Sequence, residues 1–178
     1  MAKRTDRASK RRQRQLRQRW YIGGTVAIVT LVIVGLAYVY ITRDQPGEEF
    51  SDQGNRHVAA APDDYIWNSR PPTSGSHANQ IAPWGEHDES VQEWYQVHNL
   101  EDGGVILHYN CPDGCDEDVA ALQDIMNDVG QDRLILHPYT NMDSKIAVTA
   151  WTRLLALDEV DRDQIVDFIE AYRGIDHH

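Results

Sequence analysis

Val97-His98-Asn99-Leu100-Glu101-Asp102-Gly103-Gly104-Val105-Ile106-Leu107-His108-Tyr109-Asn110-Cys111-Pro112-Asp113-Gly114-Cys115 holds two histidines, two acids before a glycine pair, and both cysteines of the chain. Its second half reads as a strand. Gly104 to Asn110 is rich in β-favouring residues, and Pro112 breaks the pattern just beyond. Alternation places Val105, Leu107 and Tyr109 on one face and Ile106, His108 and Asn110 on the other. A strand this apolar is expected to be buried, with the flanking segments supplying its cover.

Downstream, Asp116 to Val129 carries Val119, Leu122, Ile125, Met126 and Val129 at helical spacing, with Gly130 as its stop. Asp116, Glu117 and Asp118 fall in the first turn, where the helix dipole favours negative charge. Arg133 to His137, ended by Pro138, reads as a second strand and Lys145 to Trp151 as a third. Asp158 is expected to cap a last helix with an apolar stripe of Ile165, Phe168, Ile169 and Tyr172, ended by Gly174. The order strand, helix, strand, strand, helix predicts an α+β domain, a small mixed sheet with helices packed on it, over residues 65–174. Residues 175–178 form a tail from which nothing is read. Upstream, Asp88 to Gln96 reads as a short helix with Val91, Trp94 and Tyr95 on one face. Pro71-Pro72-Thr73-Ser74-Gly75-Ser76-His77 combines paired prolines with turn formers, so His77 is expected on an ordered loop.

Further back, Trp20 to Thr42 is a run of 23 residues without a charge. As a helix it reaches ~35 Å, enough to cross a bilayer core with some tilt. Trp20, Tyr21, Tyr38 and Tyr40 lie near its ends, where aromatic rings favour the membrane interface. Residues 1–19 carry nine Lys/Arg against Asp6 alone, a basic arm that the positive-inside rule keeps in the cytoplasm. The 136 residues from Arg43 onward carry eight Lys/Arg against 27 Asp/Glu. That balance excludes nucleic acid and anionic lipid as partners of the outer part. The expected layout is a single-pass protein of the cell membrane, with its N-terminus cytoplasmic and its domain extracytoplasmic. Residues 43–64, polar and broken by Pro46-Gly47 and Gly54, read as a linker between span and domain.

Three motifs, Pro71 to His77, Val97 to Gly104 and Ile146 to Trp151, resemble a prokaryotic membrane-anchored family known as domain of unknown function 3105. They occur in the family's order, and the likeness covers roughly Tyr65 to Gly174. It implies a single span with the domain outside, and no activity. The family pattern carries a second histidine after the glutamate, where this chain has Asp102.

The chemistry on offer is first that of a metal. His77, His98, His108, His137, Glu101, Asp102, Cys111 and Cys115 are ligand types for copper or zinc, though not at zinc-finger spacing. The sharpest expectation is that His77, His98 and His108 converge as ligands, with Glu101 or Asp102 as a fourth ligand or orienting a ring. Cys111 and Cys115 flank a Pro-Asp-Gly turn and, outside the cell, are expected to form a disulfide. The same spacing resembles the C-x-x-x-C of membrane-anchored copper chaperones, with His137 as their distant histidine. Against a thioredoxin-like redox role, the three acids after Cys115 would raise a thiolate's pKa. No nucleophile elbow surrounds Ser74 or Ser76, so hydrolytic catalysis is set aside and no catalytic residue is named. A third class is a non-catalytic accessory subunit of a larger membrane complex, docking through Trp67, Trp84, Trp94 or Tyr95 where these are not core.

Overall fold

A computed structural model describes residues 20–38, 45–59, 65–112 and 114–178. The basic arm, the last four residues of the expected span, part of the linker and Asp113 lie outside the described residues. The chain divides into two units, 1–44 and 45–178. In the first, helix α1 (Trp20–Tyr38) is long and apolar enough to cross a membrane, and none of it is buried.

The second unit contains strands β1 (Glu48–Glu49), β2 (His57–Val58), β3 (His77–Ala78) and β4 (Gly85–Glu86), helix α2 (Glu93–Glu101), strand β5 (Val105–Tyr109) and helix α3 (Asp116–Val129). Strands β6 (Leu134–Pro138), β7 (Ile146–Ala150) and β8 (Arg153–Leu157) and helix α4 (Arg162–Tyr172) complete it. The expected α+β order of β5, α3, β6, β7 and α4 is present, with β8 added. A mixed six-stranded sheet runs β1-β8-β7-β5-β6-β4. β5 is parallel to β6 and antiparallel to β7, so the strand expected to be buried lies between two others.

Alternation along β5 feeds two cores. Val105 and Leu107 join Leu134, Leu136, Ile146 and Val148 under Leu122, Ile125 and Met126 of α3 and Ile165, Phe168 and Ile169 of α4. Ile106 and Ile135, on the reverse face, pack with Val97 and Leu100 of α2 and with Trp151. Helices therefore cover both faces of the sheet. Full burial of each such side chain is worth roughly 1.5–3 kcal/mol, so these two layers hold the site's elements in place. Trp67, Trp84 and Tyr95 pack against the second core, and Trp94 lies 5.0 Å from the Trp67 ring. Those aromatics are spent largely inside the unit.

Three local details differ from the sequence expectation. Helix α2 begins five residues later than Asp88, after Gln92, and runs through the histidine-acid stretch to Glu101. Its buried face is mostly polar, with Gln96, His98, Asn99 and Glu101, which no apolar period reveals. Helix α4 is capped by Asp161 rather than Asp158, its Oδ1 accepting from Gln164 N at 3.1 Å. And residues from Gln45 on belong to the folded unit: Glu48–Glu49 pairs with β8, and His57–Val58 pairs in parallel with β3. Polar residues on two-residue edge strands carry no hydrophobic signal, so the pairing was hidden in a segment read as linker.

Cys111 and Cys115 lie at disulfide distance, with Cα atoms 5.6 Å apart, in the turn that leads from β5 into α3.

Candidate metal centre

The site is built by two short segments and one helix. The loop Pro71 to His77 is buried throughout. The Gln53 amide donates to Ser74 Oγ at 3.1 Å, the Ser76 amide to Tyr65 Oη at 2.9 Å, and the Thr152 amide to the Thr73 carbonyl at 2.9 Å. His77 thus arrives on a loop that is hydrogen-bonded to three other parts of the unit. Parallel pairing then sets His57 opposite His77. Paired residues on neighbouring strands present their side chains to the same face, so the two imidazoles come together, with ring centroids 4.6 Å apart.

Helix α2 supplies the rest. His98 and Glu101 stand three residues apart on one helix face. Gly103, with φ +76, turns the chain immediately after α2, where a side chain would meet the backbone of Gly174 and Ile175 at 2.9 Å. A Cβ at Gly104 would fall 2.6 Å from the Asn99 carbonyl and 2.7 Å from the Trp84 ring. The glycine pair is what lets α2 end tightly against β5.

His57, His77, His98 and Glu101 each offer one ligand atom, all within 4.8 Å of one another. Two ligands of one ion, each bonded at ~2 Å, stand at most ~4 Å apart, so a shift of about an ångström closes the set. Glu101 is the hub. Its side chain is 1% exposed, and its Oε2 lies 2.9 Å from His77 Nε2 and 3.0 Å from His57 Nε2. Its Oε1 is buried without a hydrogen-bond partner among the described residues.

The histidine wiring is directional. His77 Nδ1 donates to the Gly75 carbonyl at 2.8 Å, and His98 Nδ1 to the Ala78 carbonyl at 2.7 Å. A carbonyl only accepts, so the proton sits on Nδ1 and the Nε2 of a neutral ring carries its lone pair. In His77 that lone pair faces a carboxylate oxygen. Burial holds the His77 pKa below the ordinary histidine value, although the Gly75 carbonyl and Glu101 pull the other way and His57 and His98 add to the lowering. With its proton on Nδ1, His77 turns the Nε2 lone pair toward a Glu101 oxygen that also accepts, an arrangement that a shared cation satisfies.

Of the residues expected to converge, His77 and His98 do, with Glu101 beside them. Asp102 flanks the group, its Oδ1 3.9 Å from His98 Nε2. His108 lies elsewhere. It projects from β5 opposite Val105, Leu107 and Tyr109, as alternation requires, but the parallel β5–β6 register sets it against His137, with ring centroids 4.7 Å apart. Its Nε2 lies 2.9 Å from Thr149 Oγ1. His57, missed in the sequence, takes the third histidine position in the group. The one legible signal was a histidine two residues after Asn55 in an otherwise featureless polar stretch.

No curated protein and no solved structure matches the chain. The model of a family described as "Protein of unknown function (DUF3105)" matches residues 60–177, from just after His57 to the penultimate residue, and the chain belongs to that family.

Proposed function

We propose that this protein is a membrane-anchored metal-binding protein, holding a divalent zinc or copper ion outside the cell with His57, His77, His98 and Glu101. The observation that carries the reading is Glu101 itself: a buried carboxylate whose ion-pair partners among the described residues are histidines alone. An ionised carboxylate costs several kcal/mol to bury without a countercharge. Imidazoles with carboxylate suit Zn(II) or Cu(II); Cu(I) prefers thiolate or thioether sulfur, and both cysteines here are paired at disulfide distance. The Nδ1–H bonds to the Gly75 and Ala78 carbonyls are the outer contacts that orient ligating histidines in metal sites. With four protein ligands the centre suits holding or handing on a metal, rather than a catalytic ion, which keeps an open position.

The full-length chain, purified in detergent without added metal, is expected to carry about one equivalent of zinc or copper by elemental analysis. Chain without metal that also takes up neither ion on addition would overturn the reading. For the topology, protease added to intact cells is expected to remove residues 45–178 and spare the N-terminus; complete protection would reverse the orientation.

A further inference from the structure

We propose that His178 is a further ligand of this centre, capping the ion from the solvent side through Nδ1. The inference rests on the metal reading above and adds a residue from the C-terminal tail, outside the group already described.

The tail is held in place over the site. The Gly174 amide donates to the Gly103 carbonyl at 2.8 Å, and the His177 amide to the Glu101 carbonyl at 2.9 Å. The His177 ring stacks on Trp151, with centroids 5.6 Å apart and planes 21° from parallel. These contacts run the last residues alongside the end of α2, next to both acids. His178 then repeats the wiring of His77 and His98. Its Nε2 donates to Asp102 Oδ1 at 2.7 Å, which leaves Nδ1 as the nitrogen a metal would take in exchange for a proton. That Nδ1 lies 3.6 Å from Glu101 Oε1, the buried oxygen without a hydrogen-bond partner among the described residues.

The distance is informative. At 3.6 Å the two atoms are too far apart for a good hydrogen bond, which ends near ~3.2 Å. They are close enough to share one ion at ~2 Å from each. The His178 ring also sits 6.4 Å from that of His57 and 6.3 Å from that of His98, at the edge of the four-residue group. His178 and His57 have side chains 49% and 40% exposed, whereas His77 and Glu101 are buried. The solvent side of the centre is therefore closed by His57 and His178, and an ion enters or leaves past them. Asp102 acts on His178 as a carbonyl acts on the inner histidines: it fixes the ring and leaves one nitrogen for the metal.

Cobalt(II) is the probe, titrated into the full-length chain in detergent, because its visible absorption reports coordination number. Wild type is expected to give the weak band of a five-coordinate ion. His178→Ala is expected to give the stronger band of a four-coordinate ion, with affinity reduced about 10–100-fold, the range for losing a supporting contact of a metal site. Free imidazole should restore the wild-type band in His178→Ala. Unchanged spectrum and affinity in His178→Ala overturn the proposal, even where thermal stability shifts, since the tail would then be packing alone. Cobalt uptake by wild type with no effect of His178→Ala removes His178 and leaves the four-residue centre standing. No uptake by wild type removes both.

Discussion

Glu101→Gln is expected to abolish stabilisation by metal and, in the metal-free protein, to raise stability above wild type. The two signs follow from one geometry. With metal bound, the carboxylate is the anionic ligand among imidazoles, and a neutral amide is a far poorer ligand for zinc or copper. Wild type at a metal concentration 1,000 times its Kd gains about 4 kcal/mol; the variant is expected to gain almost none. Without metal, the carboxylate is a buried group whose Oε1 has no hydrogen-bond partner among the described residues and whose Oε2 faces the His77 Nε2 at 2.9 Å. Glutamine keeps the shape, removes the charge, and offers an amide N–H to that lone pair. Removing an unsatisfied buried group of this kind is worth about 1–3 kcal/mol. Chemical denaturation of the full-length chain with chelator and with added zinc gives all four numbers. A merely structural glutamate predicts the reverse: loss of stability in the variant with chelator present, and no gain from zinc in either protein.

What the sequence revealed, and what it withheld, divides along hydrophobic pattern. β5, α3, β6 and β7 were legible because each carries an apolar period bounded by glycine, proline or acid, and the structure places them within a residue or so of the expected limits. α2 was displaced by five residues because its buried face is built from Gln96, His98, Asn99 and Glu101. Those side chains are buried for their hydrogen bonds: Asn99, for instance, exchanges two with the backbone of Ala82, at 2.9 and 3.0 Å. A spacing that could have placed the site lies in that same helix. His98 and Glu101 are three apart, which aligns them on one face once the stretch is read as helix rather than loop.

His57 was beyond such reading. It reaches the centre through a two-residue parallel pairing with β3, and a pairing between positions 20 apart in the chain leaves no local trace. His108 illustrates the converse. Its face on β5 follows from alternation, but its neighbour follows from which strand lies alongside and in what register, and the parallel pairing with β6 put His137 there. Ligand type was legible, and partnership was set by tertiary register.

The His108–His137 pair gives the second large effect, a loss of stability on mild acidification that is separate from metal release. Both rings are 0% exposed, and His108 Nδ1 and His137 Nε2 have no hydrogen-bond partner among the described residues. Around them stand Thr149 from β7, Tyr139 after β6 and the Val91 amide before α2. Tyr139 is hydrogen-bonded to Glu93 and is also influenced by Asn141 and Arg70. Burial pushes the His137 pKa down to about 4; the Pro138 carbonyl opposes the shift and His87 reinforces it. Burial, reinforced by His137, also drives the His108 pKa well below the usual histidine value. Both folded values lie below the unfolded value of 6.5, so below that pH the unfolded chain takes up protons that the folded one refuses. Stability is then full above pH 6.5, falls as the pH drops, and levels off for His137 below about 4. His137 alone accounts for about 3 kcal/mol by pH 4, and His108 adds to it with the same sign. Urea denaturation of metal-free protein at intervals from pH 7.5 to 4 is the measurement, with chelator present so that metal release does not contribute. His137→Gln, which cannot titrate, should start lower at neutral pH and lose about 3 kcal/mol less across the window. Parallel pH profiles for the two proteins would mean that the pair is already charged or hydrated in the fold, and that the β5–β6 face does not exclude water at this point.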